Sequence, residues 1–161
     1  MIRPITADDV PRVAEIHLLG QRQAYRGIVP DEMLFGKMTI AKRIKYYDAN
    51  ALEGYVYDDG IIKAFTIMAP CKDADKPNYF ELFRIFVDPF MHGEGLGRKM
   101  ALHFEQCATR HGYDKACLWA LEGNTAAAFY EKMGYHKDGA RKISGYFNVP
   151  EVRFTKLSLR A

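Results

Sequence analysis

Three glycines at alternate positions, Gly93, Gly95 and Gly97, follow an apolar run that ends in Val87-Asp88-Pro89. Beyond them, Leu96, Met100, His103-Phe104 and Cys107 recur three or four apart. The pattern is a strand, a glycine-rich turn and a helix that opens directly from the turn. The first amides of such a helix lack intrahelical acceptors and lie at the positive end of its dipole. Glycine lets the backbone approach an anion closely, so His92, Gly93, Glu94, Gly95, Leu96, Gly97 and Arg98 form a seat for a phosphate-bearing cofactor. Spacing excludes two familiar nucleotide loops. A Walker A loop needs Gly-Lys-Ser/Thr after four intervening residues, and nothing here supplies it. A G-x-G-x-x-G fingerprint would place its third glycine at Arg98 or Met100.

A metal centre is a second chemistry to weigh. His103, Cys107 and His111 fall at i, i+4 and i+8 on one helical face. A straight helix cannot bring all three to one ion, and no H-E-x-x-H or paired cysteines support them, so no metal is expected.

The elements that must position the glycine turn are legible along the chain. A strand at 2–6 precedes a helix from about 7 to 24, with Val10, Val13, Ile16-His17 and Gly20 on one face. A second helix is expected over 31–48 after Pro30, ending near Asn50. Strands at about 53–58 and 61–70 flank Asp58-Asp59-Gly60, whose Asp-Gly step is a hairpin signal. The strand at Glu81, the helix after the glycines and the strand Ala116–Leu121 follow. Then Asn124 reads as the N-cap of a helix that Gly134 stops. Strands at about 135–144 and 151–159 close the chain. The expected class is α/β, one domain over 1–161, a mixed central sheet flanked by helices in the order βααβββαβαββ.

Composition sets bounds. Hydrophobic residues at 48% and charged residues at 27% are ordinary for a globular chain. A net charge of +3 does not argue for nucleic acid. No apolar run is long enough to span a membrane, and the first residues read as a strand instead of a signal peptide. Cys71, Cys107 and Cys117 lack a C-x-x-C pattern, which fits free thiols in a cytoplasmic protein.

Two segments in register point to a family. Gly93, Gly95 and Gly97 resemble the acetyl-CoA loop R/Q-x-x-G-x-G/A of the GCN5-related N-acetyltransferase (GNAT) superfamily. The run Asn124–Tyr130 with Met133-Gly134-Tyr135 resembles its N-x-x-A-x-x-F-Y-x-x-x-G-F segment. The stretches Ile2–Asp9 and Ala24–Asp31 are similar to members as well, so the resemblance covers nearly the whole chain. His92 stands where the family usually has Arg or Gln. A mostly neutral histidine is a weaker phosphate partner, so cofactor affinity is expected to strengthen as pH falls through its pKa.

The resemblance implies a GNAT fold and transfer of an acetyl group from acetyl-CoA to a primary amine by direct attack in a ternary complex. It places the general acid on Tyr130, because a phenol is protonated at neutral pH and can protonate the leaving thiolate. It places the general base on Glu81, whose flanking Phe80, Leu82 and Phe83 would raise its pKa by desolvation. Glu122 is a second candidate base, and ordered water a third route. Ile85, Phe86 and Val87 would bind pantetheine through their backbone, as an added strand would. The pyrophosphate would sit on the amides of Gly93 through Arg98, with Asn124 near the pantetheine arm. The acceptor would be chosen by segments near Tyr25–Leu34 and Lys142–Pro150. A small-molecule amine is the favoured acceptor, a protein N-terminus or lysine the runner-up, and a non-catalytic acyl-CoA sensor the third reading. Edge strands able to pair between copies fit a homodimer.

Overall fold

Alternation of apolar and polar residues builds the strands, and apolar spacing of three and four builds the helices laid against them. The computed structural model describes residues 1–49, 53–91 and 93–160. β1 (Ile2–Pro4), β2 (Gly54–Asp58), β3 (Ile62–Pro70), β4 (Phe80–Val87), β5 (Ala116–Leu121), β6 (His136–Ile143) and β7 (Pro150–Lys156) form one seven-stranded sheet. Their spatial order is β1-β2-β3-β4-β5-β7-β6. β4 and β5 run parallel, and the other neighbouring pairs are antiparallel. The sheet is mixed, as expected.

Helices cover both faces. α1 (Val10–Ala24) and α2 (Ile40–Ala49) join β1 to β2. They bury Val13, Ile16 and Tyr47 against Val56, Phe65 and Ile67. α3 (Leu96–Arg110) makes the crossover between β4 and β5. Its Phe104 and Cys107 pack with Phe80, Leu82 and Leu118, while Leu96 and Met100 meet Ala64. Met100 and Phe104 are fully buried, each burial stabilising by about 1.5–3 kcal/mol. α4 (Ala127–Lys132) lies on the same side, with Ala127, Tyr130 and Met133 packed against that cluster.

The Asp-Gly hairpin forms at its expected place. Gly60 adopts φ +103 and donates its amide to Asp58 Oδ1 at 2.9 Å. The single helix expected over 31–48 is a correction. A π-helical turn over Glu32–Lys37 and an extended Met38 separate α2 from Pro30. The reason lies in α1: the Arg22 guanidinium donates to the carbonyls of Leu34 (2.9 Å) and Met38 (3.2 Å). Those two residues are buried, and α2 restarts behind Thr39, whose hydroxyl accepts from the Lys42 amide. Asn50, the expected end of that helix, lies outside the described residues. Among the described residues no helix is long and apolar enough to cross a membrane.

Candidate active site

The two central strands pair and then part. β4 and β5 share register at Phe80↔Ala116 and Glu81↔Cys117 and at no further described position. The β3–β4 register shifts between Ile67 and Met68: Ile67 faces Arg84 and Met68 faces Leu82, so Phe83 is an extra residue in β4. A bulge of this kind bends the strand and ends its pairing. Phe83 through Val87 are consequently only half-buried, although they lie in the middle of the sheet. The opening is a cleft of about 950 Å³. The expected pantetheine strand, Ile85, Phe86 and Val87, forms one wall with a backbone edge that β5 leaves unpaired.

At one end of the cleft lie Gly93, Gly95, Leu96, Gly97 and Arg98. Gly95 is the residue from which α3 starts, in the left-handed conformation at φ +65 and ψ +20, and Gly93 is left-handed too at φ +99. The first intrahelical bond runs from the Lys99 amide to the Gly95 carbonyl, and the amides of Leu96, Gly97 and Arg98 before it have no backbone acceptor among the described residues. A Cβ on Gly97 would stand 3.7 Å from the Phe129 ring and 3.9 Å from Val87, ordinary contact distances, so this glycine borders the wall of the cleft. Donors, charge and space fit the pyrophosphate and arm of a coenzyme A. Glu94 turns its carboxylate to Lys63 at 3.3 Å, so only its backbone belongs to the loop. His92 lies outside the described residues.

α4 carries Tyr130 into the same cleft. Asn124 is not the N-cap expected of it, because Ala126 holds that position. Instead Asn124 forms an Asx turn two residues earlier: its Oδ1 accepts from the Ala126 amide (3.0 Å) and its carbonyl from Ala127 (3.1 Å). The helix stops as foreseen at Gly134, φ +87, in a Schellman arrangement with Gly134 N–H on Glu131 and Tyr135 N–H on Tyr130. Tyr130 is wedged between Phe129, Phe154 and Tyr135, with ring centroids at 5.4, 5.7 and 6.4 Å. Burial, and then the nearby Tyr25, push its phenol well above the ordinary range. The phenol is therefore protonated at neutral pH.

Glu81 lies where the strands separate and is 7% exposed. Its carboxyl is pushed up to about 7, first by burial and then by Asp73, with Lys142 and Cys71 acting the other way. A carboxylate tuned to neutrality is suited to take a proton from an ammonium. The Sγ atoms of Cys71 and Cys117 and a Glu81 oxygen lie within 4.8 Å of one another, a grouping the spacing did not reveal. Glu122, the other candidate base, is exposed and bound to Arg141 at 3.0 Å, which holds its carboxyl below the ordinary range. On the α3 face, His111 Nδ1 meets the Cys107 carbonyl at 3.0 Å, while Cys107 Sγ takes Arg110 at 2.9 Å.

The opposite end of the cleft is lined by both segments expected to choose the acceptor. Tyr25 stacks edge-on to Phe147 at 5.3 Å, and Tyr146 meets Phe147 at 4.9 Å. These rings join the loop after α1 to the loop between β6 and β7. Lys142 lies 3.9 Å above Trp119, whose indole donates to Asp73. Arg43 and Arg84 also line the cleft, and the sequence reading did not place them in the site. A lone charge within Phe83-Arg84-Ile85-Phe86 is the signal that could have found the second.

With this geometry the comparisons agree. Residues 51–137 match the acetyltransferase (GNAT) domain, and the chain belongs to that family of acetyltransferases, which transfer acetyl from acetyl-CoA. It is 22% identical over 161 residues to the uncharacterized N-acetyltransferase YuaI of Bacillus subtilis strain 168, covering 98% of this chain and 90% of the other. The PaiA N-acetyltransferase of Thermoplasma acidophilum, solved with coenzyme A, superposes with a TM-score of 0.70 at 16% identity, covering 97% of each chain. YncA, a putative acetyltransferase of Salmonella typhimurium solved with acetyl-CoA, gives 0.68 at 16%, covering 100% of this chain and 95% of that one. The structural likenesses establish the fold.

Proposed function

We propose that this enzyme acetylates the primary amine of a small molecule by direct attack in a ternary complex. The observation that carries the reading is the parting of β4 from β5 after two paired positions, with the glycine turn at one end and Tyr130 in the wall. Residues Ile85 to Val87 offer backbone groups along the gap, and the amides from Gly93 to Arg98 face the pyrophosphate end. Acetyl-CoA, when bound there, supplies an acyl group on a good leaving thiolate.

The chain's own residues move the protons. Glu81 accepts one from the acceptor's ammonium, directly or through water, and exposes the lone pair of the amine. Tyr130 donates its phenolic proton to the departing sulfur. The dry walls of Phe83, Phe86 and Phe129 exclude bulk water, which strengthens both interactions. The aromatic bridge from Tyr25 through Phe147 to Tyr146 narrows the acceptor end, which favours a small molecule over an extended peptide. Free thiols at Cys71, Cys107 and Cys117 suit a reducing, cytoplasmic setting.

Tyr130→Phe tests the catalytic role. Thiol release from acetyl-CoA with an accepted amine should fall by roughly 10²- to 10⁴-fold, while calorimetric affinity for acetyl-CoA stays within about twofold. Unchanged turnover would remove Tyr130 as the acid, and absent turnover in the unsubstituted enzyme would leave a sensor.

A further inference from the structure

At the acceptor end of the cleft two guanidinium groups lie together without a carboxylate between them. Arg84 rises from β4 just past the bulge, and Arg43 reaches in from α2. Arg84 donates from Nη1 to its neighbour's carbonyl, Phe83 O, at 2.7 Å, while its Nε is buried with no acceptor. Arg43 donates to the neutral amide oxygen of Gln21 and lies over the Tyr146 ring at 5.4 Å. Neither forms an ion pair among the described residues. The carboxylates that share the cleft are Glu81 and Glu151. Glu151 is occupied by Lys142 at 3.6 Å, and Glu81 forms no ion pair with either arginine among the described residues, although Arg84 lowers its pKa through space. Burial and the repulsion of Arg84 hold Arg43 below its ordinary range, the mark of a cation that lacks its counter-ion.

A buried guanidinium donor without an acceptor is costly and is satisfied in almost all folded proteins. Both guanidinium groups border the cleft, where a planar carboxylate can take the donors that face the open space and supply the counter-charge that the protein does not. We infer that Arg84 and Arg43 form an anion subsite and that the acceptor is an amine bearing a carboxylate, as in an amino acid. The inference rests on the acetyltransferase reading of this cleft and narrows its substrate class. It runs against polyamines, whose second ammonium would face two guanidinium groups.

Matched acceptors test it: L-phenylalanine, its primary amide and phenethylamine, and likewise L-lysine, its amide and cadaverine. Xaa-Gly dipeptides separate free amino acids from short peptides. Turnover is read by thiol release, and binding to the protein–coenzyme A complex is read in parallel by calorimetry. Within at least one series, the acid should exceed its amide and decarboxylated partners by roughly 10- to 100-fold in kcat/KM, or in affinity where turnover is slow. Arg84→Gln and Arg43→Gln should each lower the acid-to-amide ratio of kcat/KM by roughly 10-fold or more, a ratio in which any common change through Glu81, on which Arg84 also acts, cancels. Amides or diamines used as well as the acids would overturn the inference and leave the acetyltransferase reading intact. So would equal losses for acid and amide in the arginine variants. If no amine releases thiol, the binding arm still decides. Acid-selective binding that depends on Arg84 supports the subsite, and its absence in every series refutes it.

Discussion

Two ionisable side chains in one cleft are driven in the same direction by burial, and the proposed reaction asks opposite things of them. Tyr130 is pushed away from neutrality and stays an acid, while Glu81 is brought to about 7 and can act as a base. That raised carboxyl has a signature in both activity and stability. The folded protein holds the Glu81 proton above the pH at which the unfolded chain releases it, about 4. Its contribution to stability is therefore full at low pH, is lost as pH rises toward about 7, and is flat above that. Glu81→Gln should then do two opposite things. At pH 8 it should raise unfolding stability by roughly 2–3 kcal/mol after allowance for residual solvent screening, read by urea denaturation. It should also lower kcat/KM about 10²-fold or more and abolish the rise of activity through pH 7. Loss of stability at pH 8 would mean that Glu81 is held charged by Lys142 and Arg84, and an unaltered pH profile would dismiss it as the base.

At the scale of elements, close approach decides where the wall of the cleft stands. Gly20 on α1 faces β4 so closely that a Cβ there would meet the Phe86 ring at 2.4 Å. Gly20→Ala should push the helix or the ring outward, destabilising by about 1–3 kcal/mol and weakening acetyl-CoA binding as the strand shifts. Full affinity, measured by calorimetry, would mean that Phe86 swings aside without moving its backbone. Gly20 was legible in the sequence as part of the buried face of α1, and its role against Phe86 was not, because a spacing does not report distance. The same limit explains the rest. The mixed sheet flanked by helices, the glycine turn and the Tyr130 helix followed from local signals at Asp59-Gly60, Gly93–Gly97 and Gly134. The π turn at Glu32–Lys37 depends on Arg22 reaching across from another helix. The Asn124 turn differs from a cap by two residues, finer than side-chain preference can resolve. Arg43 and Arg84 come together only through the tertiary fold.

At the scale of the whole molecule, the sheet is two halves held by a short parallel seam. β1 to β4 form one antiparallel block and β5, β7 and β6 the other, joined along the sheet at Phe80↔Ala116 and Glu81↔Cys117. Beyond the seam, the β4 edge at Ile85–Val87 and the facing edge of β5 have no pairing strand among the described residues. A pantetheine arm that hydrogen-bonded along β4, as proposed, would supply part of what is missing and tie the blocks together. Acetyl-CoA should therefore slow amide hydrogen exchange in the β4 stretch 82–88 and in β5, far from the phosphates, as well as at 93–98. At a hundredfold excess over Kd the complex gains about 2.7 kcal/mol, raising Tm by roughly 5–10 °C in a chain of this size. A truncated ligand ending at the pyrophosphate, used at matched saturation, should protect 93–98 and leave 82–88 exchanging as in the free protein. Equal protection of β4 by that fragment would mean that the α3 end alone sets the opening, and that the arm lies in the gap without pairing to the strand.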